Sequence, residues 1–243
     1  PNSLFIEWNK KQEKYSSAKT TSASNWVSKG PINTPIILSN NKKRGNGRVN
    51  CIAFDPIDAN IIWIGSPAGG LWKSVDGGSN WTTTTDNLPV IGVSHIAIDP
   101  TNTQTMYIVT GDANATDTYS IGILKSTDGG NTWNTTGLSY TVDQEKTVNK
   151  LLINPNHTDS LIAATNSNLM ISIDAGATWT TTGIIGRWRD VEYKPNNPDV
   201  IYAAKQSSGG SNVYRTIDGG NNWAVINNGV SNTGKHRPLI AVT

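Results

Sequence analysis

Short apolar runs recur along the chain, and polar or turn-forming residues separate them. Four of these runs end just before a proline, which closes a strand because it cannot donate to a sheet ladder. They are apolar at successive positions, as is typical of strands buried on both faces, and they occupy 51–54, 96–98, 151–153 and 191–193. A second run follows each of them (61–65, 106–110, 161–165, 200–204), and then a third (70–75, 122–127, 169–173, 213–217). The pattern predicts an all-β chain of short strands.

Each third run leads into one motif, (Ser/Thr)-x-Asp-x-Gly-x-x-Trp, which we call the box. Asp-Gly is a hairpin signal, and the Asp carboxylate accepts N–H groups a few residues further on. The box therefore joins a third strand to a fourth that starts at the Trp. The four copies are Ser74, Asp76, Gly78 and Trp81; Ser126, Asp128, Gly130 and Trp133; Ser172, Asp174, Gly176 and Trp179; and Thr216, Asp218, Gly220 and Trp223.

The two positions after each box Asp differ in what they tolerate. The first is glycine in three copies but Ala175 in one, whereas the second is glycine in all four. We assign the left-handed conformation to the second position, since glycine adopts it without steric cost. A calcium loop is the alternative for an Asp/Gly motif, but it needs several oxygen ligands and each box has one carboxylate. The box is interpreted as structural.

A repeat of this size with four short strands predicts the blades of a β-propeller. The motif resembles the Asp-box, or BNR, repeat of sortilin-like receptors, bacterial sialidases and xyloglucanases, and the resemblance covers residues 47–243. It implies four-stranded antiparallel blades with Asp-box turns, in a secreted or cell-surface protein of a bacterium. It does not decide the function, because one fold serves enzymes and binding proteins alike.

The chain contains four complete repeats and, at 239–243, one further inner strand. Open sheet edges are a liability, so we expect a partial propeller whose remaining blades continue beyond 243 or lie on another segment of the same protein. Residues 45–243 form the predicted propeller. Residues 1–44 form an N-terminal segment with a short helix at 4–14, a Ser/Thr/Lys-rich linker at 15–24 and a lead-in to the first blade.

Composition excludes several classes of function. The net charge is +2 and basic residues are scattered, so no nucleic-acid partner is indicated. No apolar run approaches the ~18 residues of a membrane span. The single cysteine, Cys51, lies in an apolar run and reads as a buried, inert thiol. The three histidines lack metal-ligand spacing, so neither a metal nor another cofactor is expected.

Strand order places all boxes on one face, and the resemblance puts the ligand on the opposite face, near the axis. The long loop 111–121 carries Asp112 and Tyr119 there. Counting eight residues back from each strand-closing proline gives Arg48 and Arg187, and extending the register gives His236. With Arg189 nearby, these form a basic rim suited to carboxylates or sugars. The alternative is ordinary solvated surface.

Catalysis is not indicated by the residues present. Xyloglucanase-like members carry a catalytic Asp before a Gly-Gly pair in the first blade, where this chain has Pro67. Glycoside hydrolysis needs two carboxylates, and the sialidase-type Phe/Tyr-Arg-Ile-Pro signature is also missing. We therefore expect a non-catalytic binding or adhesion module for a glycan or protein partner. The alternative is a glycoside hydrolase, xyloglucanase- or sialidase-like, whose catalytic residues lie outside this chain.

Overall fold

The computed structural model describes residues 47–114, 118–207, 210–227 and 237–243, which belong to one compact unit, 47–243. The predicted N-terminal segment with its helix and linker lies outside the described residues. Within them the chain is all-β, as predicted, with one short 3-10 helix at Val142–Gln144.

Sixteen strands form four antiparallel sheets, and each sheet is one predicted blade. Every blade is a meander in which consecutive strands pair, from the inner strand outward. Blade 1 contains β1 (Cys51–Phe54), β2 (Ile62–Ser66), β3 (Gly70–Ser74) and β4 (Thr82–Thr83). Blade 2 contains β5 (Val93–Ile98), β6 (Met106–Thr110), β7 (Gly122–Ser126) and β8 (Asn134–Ser139). Blade 3 contains β9 (Val148–Asn154), β10 (His157–Thr165), β11 (Leu169–Ser172) and β12 (Thr180–Thr181). Blade 4 contains β13 (Arg187–Lys194), β14 (Asn197–Ser207), β15 (Gly210–Thr216) and β16 (Ala224–Val225).

The fourth strands begin one residue after the box Trp, not at it as predicted. In three boxes the indole Nε1 donates to the carbonyl of the second glycine, as Trp81 does to Gly78 at 3.1 Å. The Trp is therefore held against its own turn, and pairing with the third strand starts only at the next residue.

The core lies between blades. The inner strand of one blade packs on the second and third strands of the preceding one, so that Leu151 lies against Tyr107 and Val109. The next interface repeats this arrangement with Val191 and Ile162. Trp188 is fully buried in that interface, edge-on to Tyr214 with ring centroids 5.1 Å apart. Burying each such side chain stabilises the fold by about 1.5–3 kcal/mol, so the stability of each blade depends on its neighbour.

The row of blades is open at both described ends. In blade 1, Ile52 and Phe54 are 61% and 62% exposed, whereas Leu151 and Val191, which stand where Ile52 does, are 0% exposed. The predicted fifth inner strand at 239–243 forms no strand in the structure, because the described residues offer it no partner strand. Instead, the Ile240 N–H donates to Asp190 Oδ2 at 2.6 Å.

In each box the Ser/Thr hydroxyl and the Asp carboxylate bond to each other within the turn. In the first copy, Ser74 Oγ accepts the Gly78 N–H at 2.8 Å and donates to Asp76 Oδ1 at 2.8 Å. Asp76 Oδ1 also accepts hydrogen bonds from the N–H groups of Ser79 and Asn80, at 2.9 and 2.8 Å. The hydroxyl is thus a full partner of the carboxylate in closing the turn.

The assignment of a left-handed conformation to the second position alone is wrong, because both positions have positive φ. The second-position glycines have φ between 83° and 104°, as predicted, while at the first position Gly129 has 67° and Ala175 has 55°. The small left-handed region open to residues with a Cβ reaches only about 70°. The first position therefore tolerates alanine because the φ of 55° at Ala175 lies within that region.

Candidate functional site at the axial pocket

The end of the blades opposite the boxes carries a pocket of about 500 Å³, which we call the axial pocket. Antiparallel order places the starts of the inner strands at this end and the boxes at the other. The lining residues come from all four inner-strand starts, from the β6–β7 loop and from the last described segment. They are Asn50, Ser94, His95, Ala113, Asn114, Asn149, Lys150, Arg189, Asp190, Arg237, Leu239 and Ile240.

One register position supplies the pocket in every blade. Six residues before each strand-closing proline stand Asn50, Ser94, Asn149 and Arg189, and all four line it. The predicted rim used the position eight residues before the proline. In blades 2, 3 and 4 a β-bulge interrupts the pairing at the position six residues before the proline, so the alternation of a regular strand does not relate the two positions. The repeat register therefore contained the position that lines the pocket, two residues closer to the proline than the position used for the predicted rim.

The floor of the pocket contains buried polar atoms without a partner. Asn149 is 8% exposed; its Nδ2 donates to the Trp188 carbonyl, and its Oδ1 has no hydrogen-bond partner. His95 keeps some exposed surface, but its Nδ1 is buried and also lacks a partner. Burial, helped by the nearby Lys150, lowers the pKa of His95 to about 4, so the imidazole is neutral at pH 7. Unpaired polar atoms are rare in protein interiors, and both residues belong to the lining of the axial pocket.

Lys150 lies between two carboxylates. Its Nζ is 2.8 Å from Asp190 Oδ1 and also pairs with Glu192. Burial by itself would lower the pKa of Lys150, but the hydrogen bonds that its ammonium group donates to the two carboxylates, together with their negative charges, outweigh burial and raise the pKa. Asp190 also accepts the Val191 and Ile240 N–H groups, at 3.0 and 2.6 Å. Lys150, Asp190 and Glu192 therefore neutralise one another within the pocket wall.

Arg48 and Asp112, both predicted site residues, form an ion pair. The carboxylate is 1% exposed and also accepts from Asn50 Nδ2 at 3.3 Å and the Asn114 N–H at 2.9 Å. Asp112 therefore ties the β6–β7 loop of blade 2 to the start of blade 1, and its oxygens are occupied by protein donors. Tyr119 is half-buried in the same loop and does not line the pocket, and His236 lies outside the described residues.

Three further arginines surround the pocket. Arg189 donates from Nε to Gln206 Oε1 at 2.7 Å and from Nη1 to the Ala113 carbonyl at 3.3 Å. Burial, together with the charges of Arg187 and Arg237, lowers the pKa of Arg189 to about 10. Burial lowers the pKa of Arg237 as well. Sequence reasoning missed Arg237, which precedes the fifth inner-strand motif by two residues.

The described residues contain no group of three or more His, Cys, Asp or Glu side chains that could hold a metal ion. They also contain no helix long and apolar enough to cross a membrane. Burial raises the pKa of the Cys51 thiol to about 12, which makes it inert at neutral pH.

A sequence model of the family described as "Sortilin, neurotensin receptor 3" matches residues 69–181. Two curated relatives are xyloglucanases, from Paenibacillus sp. (31% identical over 104 residues) and from Hypocrea jecorina (30% over 105 residues). Each match covers 40% of this chain, and it spans only 10% and 12% of the relatives.

Solved structures show the same architecture. A GH74 enzyme of Niastella koreensis aligns with a TM-score of 0.61 at 24% identity, over 75% of this chain and 30% of that one. The protein YCF48 bound to D1 peptide aligns with a TM-score of 0.53 at 21% identity, over 74% and 53%. The fold is a β-propeller. In this chain the described blades form an open arc, not a closed ring.

Proposed function

We propose that this chain is the saccharide-binding part of an Asp-box propeller of the xyloglucanase type, with the glycan in the axial pocket. The observation that carries the proposal is the shared register position in all four blades. Residues at this position in all four blades, two asparagines, a serine and an arginine, line one pocket. Such groups pair with sugar hydroxyls, and the naming of both curated relatives as xyloglucanases points to the same ligand class.

The bond-cleaving carboxylates of such an enzyme would lie outside the described residues. Asp190 is bound by Lys150 and Asp112 by Arg48, so neither is a free acid or base for the pair that glycoside hydrolysis needs. Pro67, at the position where the resemblance expects the first carboxylate, is buried and has no titrating group. The role proposed for these blades is binding and positioning of the substrate.

A non-catalytic binding module is the second candidate. The observation that favours it is the alignment with YCF48 bound to D1 peptide, which extends over 53% of that chain. In this case the axial pocket takes a protein segment or a glycan without cleaving it. The two candidates share the site and differ only in whether bound glycan is hydrolysed.

We also infer that a further propeller blade of the same protein covers the exposed inner strand of blade 1. In the other blades the residue equivalent to Ile52 is buried and the residue equivalent to Phe54 is half-buried, because both pack on large side chains of the preceding blade such as Trp63 and Tyr107. A polymeric glycan does not cross a membrane, so the proposed site of action is outside the cell or on its surface. Protease accessibility on intact cells tests that placement.

The central test measures binding and hydrolysis of xyloglucan oligosaccharides by the intact native protein. Asn114 is exposed at the pocket, and Asn114→Ala should weaken binding by about 5–10-fold, the loss of about one hydrogen bond, with no change in Tm. Asn60→Ala, at the opposite end, is the matched control and should bind as the wild type does. Release of reducing ends supports the hydrolase, and binding without release supports the second candidate. Wild-type affinity in Asn114→Ala would overturn the site.

A further inference from the structure

The charges around the axial pocket do not balance. Two basic residues are neutralised in place, Arg48 by Asp112 and Lys150 by Asp190 and Glu192. The remaining three, Arg187, Arg189 and Arg237, have no carboxylate within 4.0 Å in the described part of the chain. The pocket mouth therefore carries an excess of positive charge.

These guanidinium groups act on one another. Burial is the largest cause of the lowered pKa of both Arg189 and Arg237, and Arg187 and Arg237 lower the pKa of Arg189 further. Arg187 and Arg48 also lower the pKa of Arg237, whereas Asp112 and Asp190 raise it. Like charges held close together destabilise the site, at a cost that an anion placed among them removes. Nothing in the box motif or the blade packing requires this cluster, which points to a ligand.

We propose that Arg189 and Arg237 bind the carboxylate of a uronic-acid unit, so that the glycan recognised in the axial pocket is acidic. The proposal rests on the saccharide-binding function proposed above and names its substrate class. It assigns Arg189 and Arg237, rather than Arg48, to the anion.

Arg189 is built for this role. Its bonds to Gln206 and to the Ala113 carbonyl hold the guanidinium plane in place and leave Nη2 without an acceptor among the described residues. A side chain that is already ordered loses little freedom when a ligand binds. A planar guanidinium also matches a carboxylate better than a point charge does. Arg189 thus offers an oriented donor at the pocket wall.

The carboxamides at the pocket favour a sugar acid over a peptide carboxylate. Hydroxyl groups flank the carboxylate of a uronic acid on several carbons. Asn50 and Asn114 carry carboxamides that both donate and accept. A carboxylate with neighbouring hydroxyls satisfies arginines and amides together. Arg187, which is exposed, adds long-range attraction that salt weakens.

The experiment compares one uronic-acid oligosaccharide with its carboxyl-reduced counterpart by calorimetry on the intact protein. The acid should bind about 10–100-fold more tightly, the worth of one or two charged hydrogen bonds, and its affinity should fall as NaCl rises from 50 to 500 mM. Arg189→Gln should remove that preference, so that the variant binds the acid and the reduced sugar with equal affinity. Arg237→Gln gives the same test if Arg189→Gln fails to fold, because the Arg237 side chain makes no hydrogen bond within the described residues.

Arg215→Gln is the matched control, because it removes the same charge from an exposed position on β15 and should change neither ligand. Equal affinity for the acid and the reduced sugar overturns this inference and leaves the saccharide proposal standing. Binding of an acidic peptide with no binding of either sugar overturns both. Loss of acid binding in Arg215→Gln as well shows only a general charge effect and overturns the assignment to Arg189.

Discussion

The box end and the axial end of the same blades satisfy their polar groups in different ways. At the box end, the side-chain bonds of the turn join residues two to four positions apart, as from Ser126 to Asp128 and to Gly130. At the axial end, the partners are far apart in sequence: Arg48 and Asp112 are separated by 64 residues, and Lys150 and Asp190 by 40. The carboxylate and hydroxyl of a box are therefore paired within one repeat, whereas the ion pairs of the axial end join different repeats. The backbone carbonyls of Gly129, Gly130 and Ala175 also accept side chains of the preceding blade.

This difference separates stability from recognition. The carboxylate of a box is engaged by N–H and O–H groups of its own turn, so it holds the hairpin and offers no free charge to a ligand. The axial end retains unpaired atoms and an excess of arginine, which costs stability but leaves something for a ligand to bind. Changes at the box end should therefore affect folding without affecting affinity, and changes at the axial end should do the reverse.

The largest effect is expected from Gly130→Ala at the box end. Gly130 has a φ of 83°, and an added Cβ would lie 2.5 Å from Cη2 of Trp63 in the preceding blade. Backbone strain of about 1–3 kcal/mol and overpacking of about 1–3 kcal/mol should together lower the free energy of unfolding by about 2–5 kcal/mol.

Gly219→Ala is the control for that change, since its φ is 70° and the nearest atom to an added Cβ is 4.0 Å away. It should lower the free energy of unfolding by about 1 kcal/mol, because the left-handed backbone of the new alanine is the only source of strain. Urea unfolding measures both. Equal losses would mean that the packing of a box beneath the neighbouring blade does not contribute.

Ser126→Ala should have the next largest effect. The Ser126 side chain is fully buried, donates to Asp128 Oδ1 at 2.7 Å and accepts the Gly130 N–H at 2.9 Å. Its removal leaves a buried N–H without a partner, which should cost about 1–3 kcal/mol. Ligand affinity, corrected for the folded fraction, should be unchanged. A loss of affinity in fully folded protein would place the boxes near the site and contradict the division between the two ends.

The boxes were predictable because each depends on residues within one turn, and the blades because the apolar runs repeat. The axial pocket depends on which face of each inner strand meets the axis and on partners in other blades. Proline register alone selected Arg48, whose charge Asp112 neutralises, and missed Asn149. Nothing in the sequence indicated that the Arg48 guanidinium is paired, because its partner, Asp112, lies in a loop of the next blade.

The two ends should respond to acid in separate pH ranges. In the folded protein the pKa of His95 is about 4 instead of 6.5, so the unfolded chain takes up that proton first and stability falls as the pH drops from about 6.5 to 4. The pKa of Asp128 is lowered to about 2 by Thr132 and Ser126, so its contribution is complete above about 3.8 and is lost between that pH and 2.

Urea unfolding at stepped pH measures the two ranges. His95→Gln should flatten the pH dependence only between about 4 and 6.5, and Asp128→Asn should flatten it only below about 4. A change in the upper range caused by Asp128→Asn would contradict the separation of the two ends.

The smallest effect, and the most specific test of the box, is Ala175→Gly. Ala175 has a φ of 55°, and the atoms that bond there belong to its backbone. Its N–H donates to the Asp159 carbonyl at 2.8 Å, and its carbonyl accepts from the Tyr107 hydroxyl at 3.1 Å. Glycine keeps both bonds, removes about 1–2 kcal/mol of left-handed strain and adds about 0.4–1 kcal/mol of unfolded-state entropy. The net result should be a gain in stability of less than about 1 kcal/mol, visible as a small rise in Tm.

The reverse change, Gly129→Ala at the equivalent position of blade 2, should lower stability by about the same amount, since its Cβ meets only the end of the flexible Gln104 side chain at 3.0 Å. If Ala175→Gly is instead clearly destabilising, the alanine methyl packs against blade 2, and the third box is tied to its neighbour by more than its backbone.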